Sequence, residues 1–258
     1  PDIVPSLELQ YSAPLPADPV EITRTLPGAP SADQLLDKYI QAIGGAQRVN
    51  GITSIVGKGK YRLYDDFEWS PMDVYAKAPN QRSTIQHSDY GDITTTFDGR
   101  NAWQAAPPDI KPYPVVALSG GNLEGAGVDA SLMFPGRIRQ SFNGWRVGLA
   151  TIIDDRDVRI LQGRTASGFA VKFYFDDVTG LLLRTMRYSE SPVGLVPVRV
   201  DYSDYRDVSG VKIPFKWVAT WTDGRTVFQL DSVQANSAVD AAKFAKPIPP
   251  TPPIAASR

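Results

Sequence analysis

The chain has 258 residues, with 27 Lys and Arg against 28 Asp and Glu, a formal net charge of −1 and no cysteine. Nothing in that balance suggests the basic face that a nucleic-acid partner requires. The absence of cysteine excludes disulfides, thiolate metal sites, thiol nucleophiles and haem attached through Cys, and no run reaches the roughly 18 apolar residues that suggest a membrane-spanning helix.

Residues 1–30 hold Pro1, Pro5, Pro14, Pro16, Pro19, Pro27 and Pro30, so they are expected to be an extended arm and not a helix or a central strand. Leu7, Leu9, Tyr11 and Leu15 are its candidate anchors, packed on the chain's own body or on a partner. The first residue is Pro and not Met, which is expected of a processed chain whose export signal has been removed. Ser31 reads as an N-cap. Behind it Leu35, Leu36, Tyr39, Ile40 and Ile43 make the apolar stripe of an amphipathic helix that ends at Gly44-Gly45. That stripe is expected to face Phe173 or Phe215.

Strands follow. Ile55, Gly57, Gly59, Tyr61 and Leu63 alternate with Val56, Lys58, Lys60 and Arg62, and further candidates are Phe67–Ala76, Arg82–Ser88, Asp92–Phe97 and Asn101–Gln104. The stretch Pro107–Gly127, rich in Pro and Gly, breaks the pattern. A helical segment with an apolar face is expected from about Val128 to Phe142, so the region 107–143 reads as a helical insertion.

Strands resume near Val158–Gly163 and continue as a meander from Gly168 to Val233. Val171, Phe173 and Phe175 share one face. So do Val198, Val200 and Tyr202, and again Ile213, Phe215 and Trp217. The Asp- and Gly-containing segments at 176–180, 207–210 and 222–225 are short reversals, which make neighbours antiparallel. Five more prolines fall in residues 247–258, a second extended tail.

The pattern predicts a mainly β, α+β fold. Residues 31–246 are expected to form one strongly curved antiparallel sheet of about ten or eleven strands, too large to stay flat, with helices on its concave side. The order resembles the bacterial outer-membrane lipoprotein carrier and receptor superfamily. The likeness rests on Ser31–Gly45 followed by Ile52–Leu63, on the Phe97–Trp103 turn, and on Asp204–Phe215, which ends one strand and opens the next. A narrower likeness is to domains appended to acidobacterial reaction-centre-like cytochrome c subunits; with no Cys here, any haem would sit on another chain. The first resemblance implies a half-open antiparallel β-barrel that binds lipid chains inside and works in the periplasm or outside the cell.

Catalytic chemistry finds little support. His87 is the only histidine, which excludes a triad and a multi-His metal site. Asp154, Asp155 and Asp157, and likewise Asp65, Asp66 and Glu68, lack the spacing of a Ca²⁺ loop and read as turns. No local motif supports a carboxylate pair for hydrolysis.

The expected function is therefore a non-enzymatic, exported binding protein for a lipid, an acyl chain or another apolar ligand, without cofactor or metal. Its apolar concave face would comprise Tyr61, Val171, Phe173, Phe175, Val198, Val200, Tyr202, Ile213, Phe215 and Trp217. The alternative is an accessory subunit that docks through its proline-rich tails to a larger complex, such as a redox assembly. Alternation alone does not tell a filled barrel from a hollow one.

Overall fold

The structure is a computed structural model, and it describes Ile22, residues 28–191 and residues 194–249. The arm residues Leu7, Leu9, Tyr11 and Leu15 and the tail beyond residue 249 lie outside the described residues.

Helix α1 (Ala32–Ala42) starts on a reciprocal cap: Ser31 Oγ accepts from the Gln34 N–H at 3.1 Å and Gln34 Oε1 accepts from the Ser31 N–H at 2.8 Å. Gly44 ends it at φ 131°, and a Cβ there would meet the Gly210 carbonyl oxygen at 2.3 Å, so only glycine fits this approach. The short helix α2 (Ala46–Asn50) leads into the sheet.

The first strands are β1 (Ser54–Leu63), β2 (Ser70–Lys77), β3 (Gln81–Ser88), β4 (Gly91–Phe97), β5 (Ala102–Ala105) and β6 (Val115–Ala117). Helices α3 (Gly120–Ser131) and α4 (Ile138–Ser141) follow, with a 3₁₀ turn at Pro135–Arg137 between them. The second set is β7 (Asn143–Ile153), β8 (Arg156–Arg164), β9 (Ala170–Asp176), β10 (Leu182–Ser191), β11 (Gly194–Val208), β12 (Val211–Trp221) and β13 (Gly224–Ala235). All thirteen form one antiparallel sheet in the order β6-β5-β4-β3-β2-β1-β13-β12-β11-β10-β9-β8-β7. It is thus two meanders joined at a single long-range seam, where Tyr61 lies opposite Phe228.

The mainly antiparallel, curved fold is the expected one, with two strands more than its upper count. One is β6. The other is β7, whose pairing with β8 shifts register twice and whose sequence therefore shows no clean alternation. The helix of the insertion is α3, which begins inside the glycine-rich stretch expected to be irregular and ends at Ser131.

The turns behave as their residues suggest. Asp98 Oδ1 accepts from the Arg100 and Asn101 N–H groups, and Asp176 Oδ1 from those of Val178 and Thr179. Asp154 and Asp155 take φ of 48° and 60° in the β7–β8 reversal, so they serve as turn residues.

Two apolar interiors form on the inner face. In one, α1 and α4 cover β7 to β9: Tyr39 packs on Phe175 at 5.1 Å between ring centres, and Phe142 meets Phe173 edge-on at 5.0 Å. In the other, Tyr61, Met72, Val74, Phe215 and Leu230 gather from β1, β2, β12 and β13. The α1 stripe therefore faces Phe173 and Phe175, while Phe215 belongs to the second group.

On the outer face, Ile22 packs against Ile153, Val158, Ile160 and Tyr174. Its N–H donates to Gln162 Oε1 at 2.8 Å and its carbonyl accepts from Arg146 Nη1 at 3.0 Å. At this residue, the arm lies on the chain's own sheet.

Candidate functional site

Strands β3 and β10 stand six places apart in the sheet. In a flat sheet that would separate them by ~29 Å. Instead both line one cavity of about 250 Å³, so the sheet curls until its walls face each other. The volume is near the lower end of the ~300–1,000 Å³ typical of ligand pockets, which suits one slender chain better than several.

The floor is apolar: Val74 from β2, Leu230 and Phe228 from β13, and Ile213 and Trp217 from β12 line it. Trp217 and Phe228 stack nearly parallel with centres 5.0 Å apart. Gly57 also lines the cavity, and a Cβ there would stand 3.1 Å from Leu230. Three tyrosines border the space: Tyr39, Tyr202 and Tyr205. Burial pushes all three phenols up, so they are neutral at physiological pH. The Tyr205 hydroxyl donates to the Leu182 carbonyl at 2.7 Å.

Helix α3 closes one end, lying between β10 and the β3–β5 wall. Its approach depends on small residues. A Cβ at Gly121 would fall 2.9 Å from Ser189 Cα, and one at Gly125 would fall 2.8 Å from Arg187 Nε. The helix thereby brings Asp129 over the cavity, where Arg187 holds it in a two-point pair, Nη1 to Oδ1 at 3.0 Å and Nη2 to Oδ2 at 3.2 Å. Across the cavity, β3 presents Arg82, Thr84 and Gln86 from alternate positions. Arg82 Nε and Thr84 Oγ1 are buried without a hydrogen-bond partner.

Of the residues expected on the concave face, Val200, Tyr202, Ile213 and Trp217 line the cavity together. Tyr61 and Phe215 pack beside it in the β1–β2–β12–β13 group. Val171, Phe173 and Phe175 belong to the interior covered by α1 and α4. Val198, partly buried, lies opposite Arg187 in the β10–β11 pairing, outside the cavity lining. Sequence reasoning missed Arg82, Thr84, Asp129 and Arg187.

His87 sits away from the cavity, with Nδ1 2.7 Å from Asp92 Oδ1 and Nε2 3.6 Å from Asp73 Oδ2 on the β2–β4 surface. Among the described residues no three His, Asp or Glu side chains gather as metal ligands, and no helix is long and apolar enough to cross a membrane.

The curled antiparallel sheet with its helices is a fold that this chain shares with solved structures of several bacterial proteins. A LolA superfamily protein from Nitrosomonas europaea superposes with a TM-score of 0.55 at 14% identity, over 84% of this chain and 99% of that one. A DUF1329 family protein from Desulfovibrio piger gives 0.56 at 12%, over 84% and 98%. A domain named for outer-membrane lipoprotein sorting, from Vibrio parahaemolyticus, gives 0.54 at 13%, over 84% and 98%. At such identities the likeness is one of fold. The sequence matches no protein-family model and no curated protein.

Proposed function

We propose that the chain is a non-enzymatic binding protein for a lipid or acyl chain, acting in the periplasm or at the cell surface. The observation that carries this reading is the cavity between the facing walls, bounded by Val74, Ile213, Trp217, Phe228 and Leu230, at the centre of a sheet whose other half is filled by helices. A barrel selected only for stability gains by filling such space, since a void forfeits packing contacts on every side. The shared architecture with a lipoprotein-sorting domain supports the same direction. Val200, Tyr202, Ile213 and Trp217 are the contact residues from the expected set, with Tyr61 and Phe215 forming the wall behind them.

Nothing among the described residues favours the accessory-subunit alternative; Ile22 packs on the chain's own sheet. The test is native mass spectrometry of gently purified protein, followed by displacement of a fluorescent apolar probe. A co-purifying lipid, released on denaturation and competing with the probe, is expected. A clean apo mass together with no probe binding would defeat the proposal.

A further inference from the structure

The cavity lining is mostly apolar, and its charged residues are Arg82, Arg187, the exposed Lys212 and Asp129, an excess of positive charge. Arg82 and Arg187 supply two guanidinium groups, and Asp129 is the one carboxylate lining the cavity among the described residues. Arg187 occupies both Asp129 oxygens. Arg82 has no ion pair among the described residues, and its Nε is buried unpaired.

A guanidinium does not escape burial by losing its proton, because its pKa lies too high. The acidic neighbour of Arg82, Asp129, is already engaged by Arg187, Thr84 and Gln86 carry no charge, and the Tyr202 phenol is held neutral by burial. Arg82 is half-buried with its Nε fully so, and an unsatisfied buried donor usually marks strain, chemistry or a missing ligand.

Resting on the binding function proposed above, we infer that the cavity takes a single-chain amphiphile with an anionic head, the head lying between Arg82 and Arg187 and the tail on Val74, Ile213, Trp217 and Leu230. The planar donor fork of arginine matches a carboxylate or a phosphate ester in two-point geometry. Burial pulls the Arg82 guanidinium below its ordinary value, although the Asp129 carboxylate opposes the shift; an anion in the cavity would act in the same sense as Asp129. The small volume limits the tail to one chain. Thr84 Oγ1, itself unpaired, is a donor available to the head group.

The experiment is calorimetric titration of the delipidated full chain at neutral pH with dodecanoate, dodecyl phosphate, methyl dodecanoate and inorganic phosphate. At least one of the two acidic amphiphiles should bind about tenfold to a hundredfold more tightly than the ester, and inorganic phosphate should not bind. Which acid is preferred identifies the head. Arg82→Gln should abolish the preference, lowering acid affinity about tenfold to a hundredfold to the level of the ester. Asp129→Asn, which removes the competing carboxylate, should tighten the acid several-fold; this variant decides the matter if Arg82→Gln does not fold.

Equal binding of acid and ester, or an unaltered preference in Arg82→Gln, would overturn the anionic head and leave the binding function standing. Unaltered or weaker acid binding in Asp129→Asn would count against it equally. Tight binding of inorganic phosphate alone would make this a free-anion site and end the inference. If neither acid nor ester binds, both this inference and the proposed binding function fall.

Discussion

The two halves of the curled sheet carry the same kind of strand and use it differently. In the β7–β9 half, Phe173 and Phe175 point inward and meet helix side chains: Tyr39 from α1 and Phe142 at the end of α4. In the β11–β13 half, Val200, Ile213 and Trp217 point inward and meet open space. Strand β9 in the one half and strands β11 and β12 in the other point apolar residues inward with period two. What decides between solid and hollow is the helix laid across the strands. Helix α1 presents Leu35, Leu36, Tyr39 and Ile40 to its half, while α3 buries only Gly125, Val128 and Ala130 and brings Asp129 to the cavity. The difference teaches that a cavity in such a fold is specified by what its helices leave out.

The largest test of this contrast is truncation on each side. Phe173→Ala removes a fully buried ring and should cost about 3–5 kcal/mol, read from the urea midpoint. Trp217→Ala should cost under about 2 kcal/mol, because one side of its ring already faces the cavity. Equal costs would show that the two halves are packed alike and would remove the distinction.

Next in size is Gly121→Ala. The added methyl meets backbone at Ser189, so a loss of roughly 1–3 kcal/mol is expected despite the better helix propensity of alanine. A gain in stability would mean that α3 can retreat, and that its closeness to β10 is not required. Ala219→Leu, on the cavity lining, tests the hollow half from the opposite direction. It should leave stability within about 1 kcal/mol, or raise it, while weakening apolar probe binding.

The smallest effect compares acidic turns in the two halves. Near the filled half, the Arg159 hydrogen bond at 2.8 Å holds Asp177 below the usual carboxylate range, with the Lys38 charge helping. At the β4–β5 turn, burial pushes the Asp98 carboxyl up, but the N–H groups of Asn101 and Arg100 outweigh it and the net shift is downward. A carboxyl depressed in the folded state contributes stability that is complete above its unfolded value of about 4 and is lost as pH falls through the folded value. Melting temperature should therefore decline below about pH 4, and Asp177→Asn should flatten the decline. Acid stability that is identical in the variant would exclude Asp177 as a contributor.

Much of this was legible in the sequence. Ser31 with Gln34 three residues on, and Leu36, Tyr39 and Ile40 behind them, specify α1 locally. Asp98, Asp176 and Asp207 mark reversals by hydrogen bonds to their own loop backbone, which are local too. Strand β7 was not legible, because Gly144 and Gly148 and two register shifts erase its period. Helix α3 was misread because Gly120, Gly121, Gly125 and Gly127 favour loops intrinsically; its helicity depends on partners distant in sequence, at Phe97, Arg187 and Ser189.

The site divides in the same way. Its apolar residues on β11 and β12 follow from alternation. Its charged end does not, because in β10 polar residues occupy both faces, Arg184 outside and Arg187 inside. One signal was present in β3, where Arg82, Thr84 and Gln86 occupy the very positions that a core-facing strand normally gives to apolar residues.

The open sheet has a consequence for how the molecule behaves in a crowd of its own copies. A sheet that never closes keeps two edge strands, here β6 and β7, and a flat exposed edge invites another chain to add a strand. Strand β6 is three residues long and follows Pro114, so it offers little length to pair with. Strand β7 is long, but its two register shifts break the even spacing that a docking strand would need. Irregularity at its rims thus lets the sheet stay open while giving a second copy of the chain little to extend.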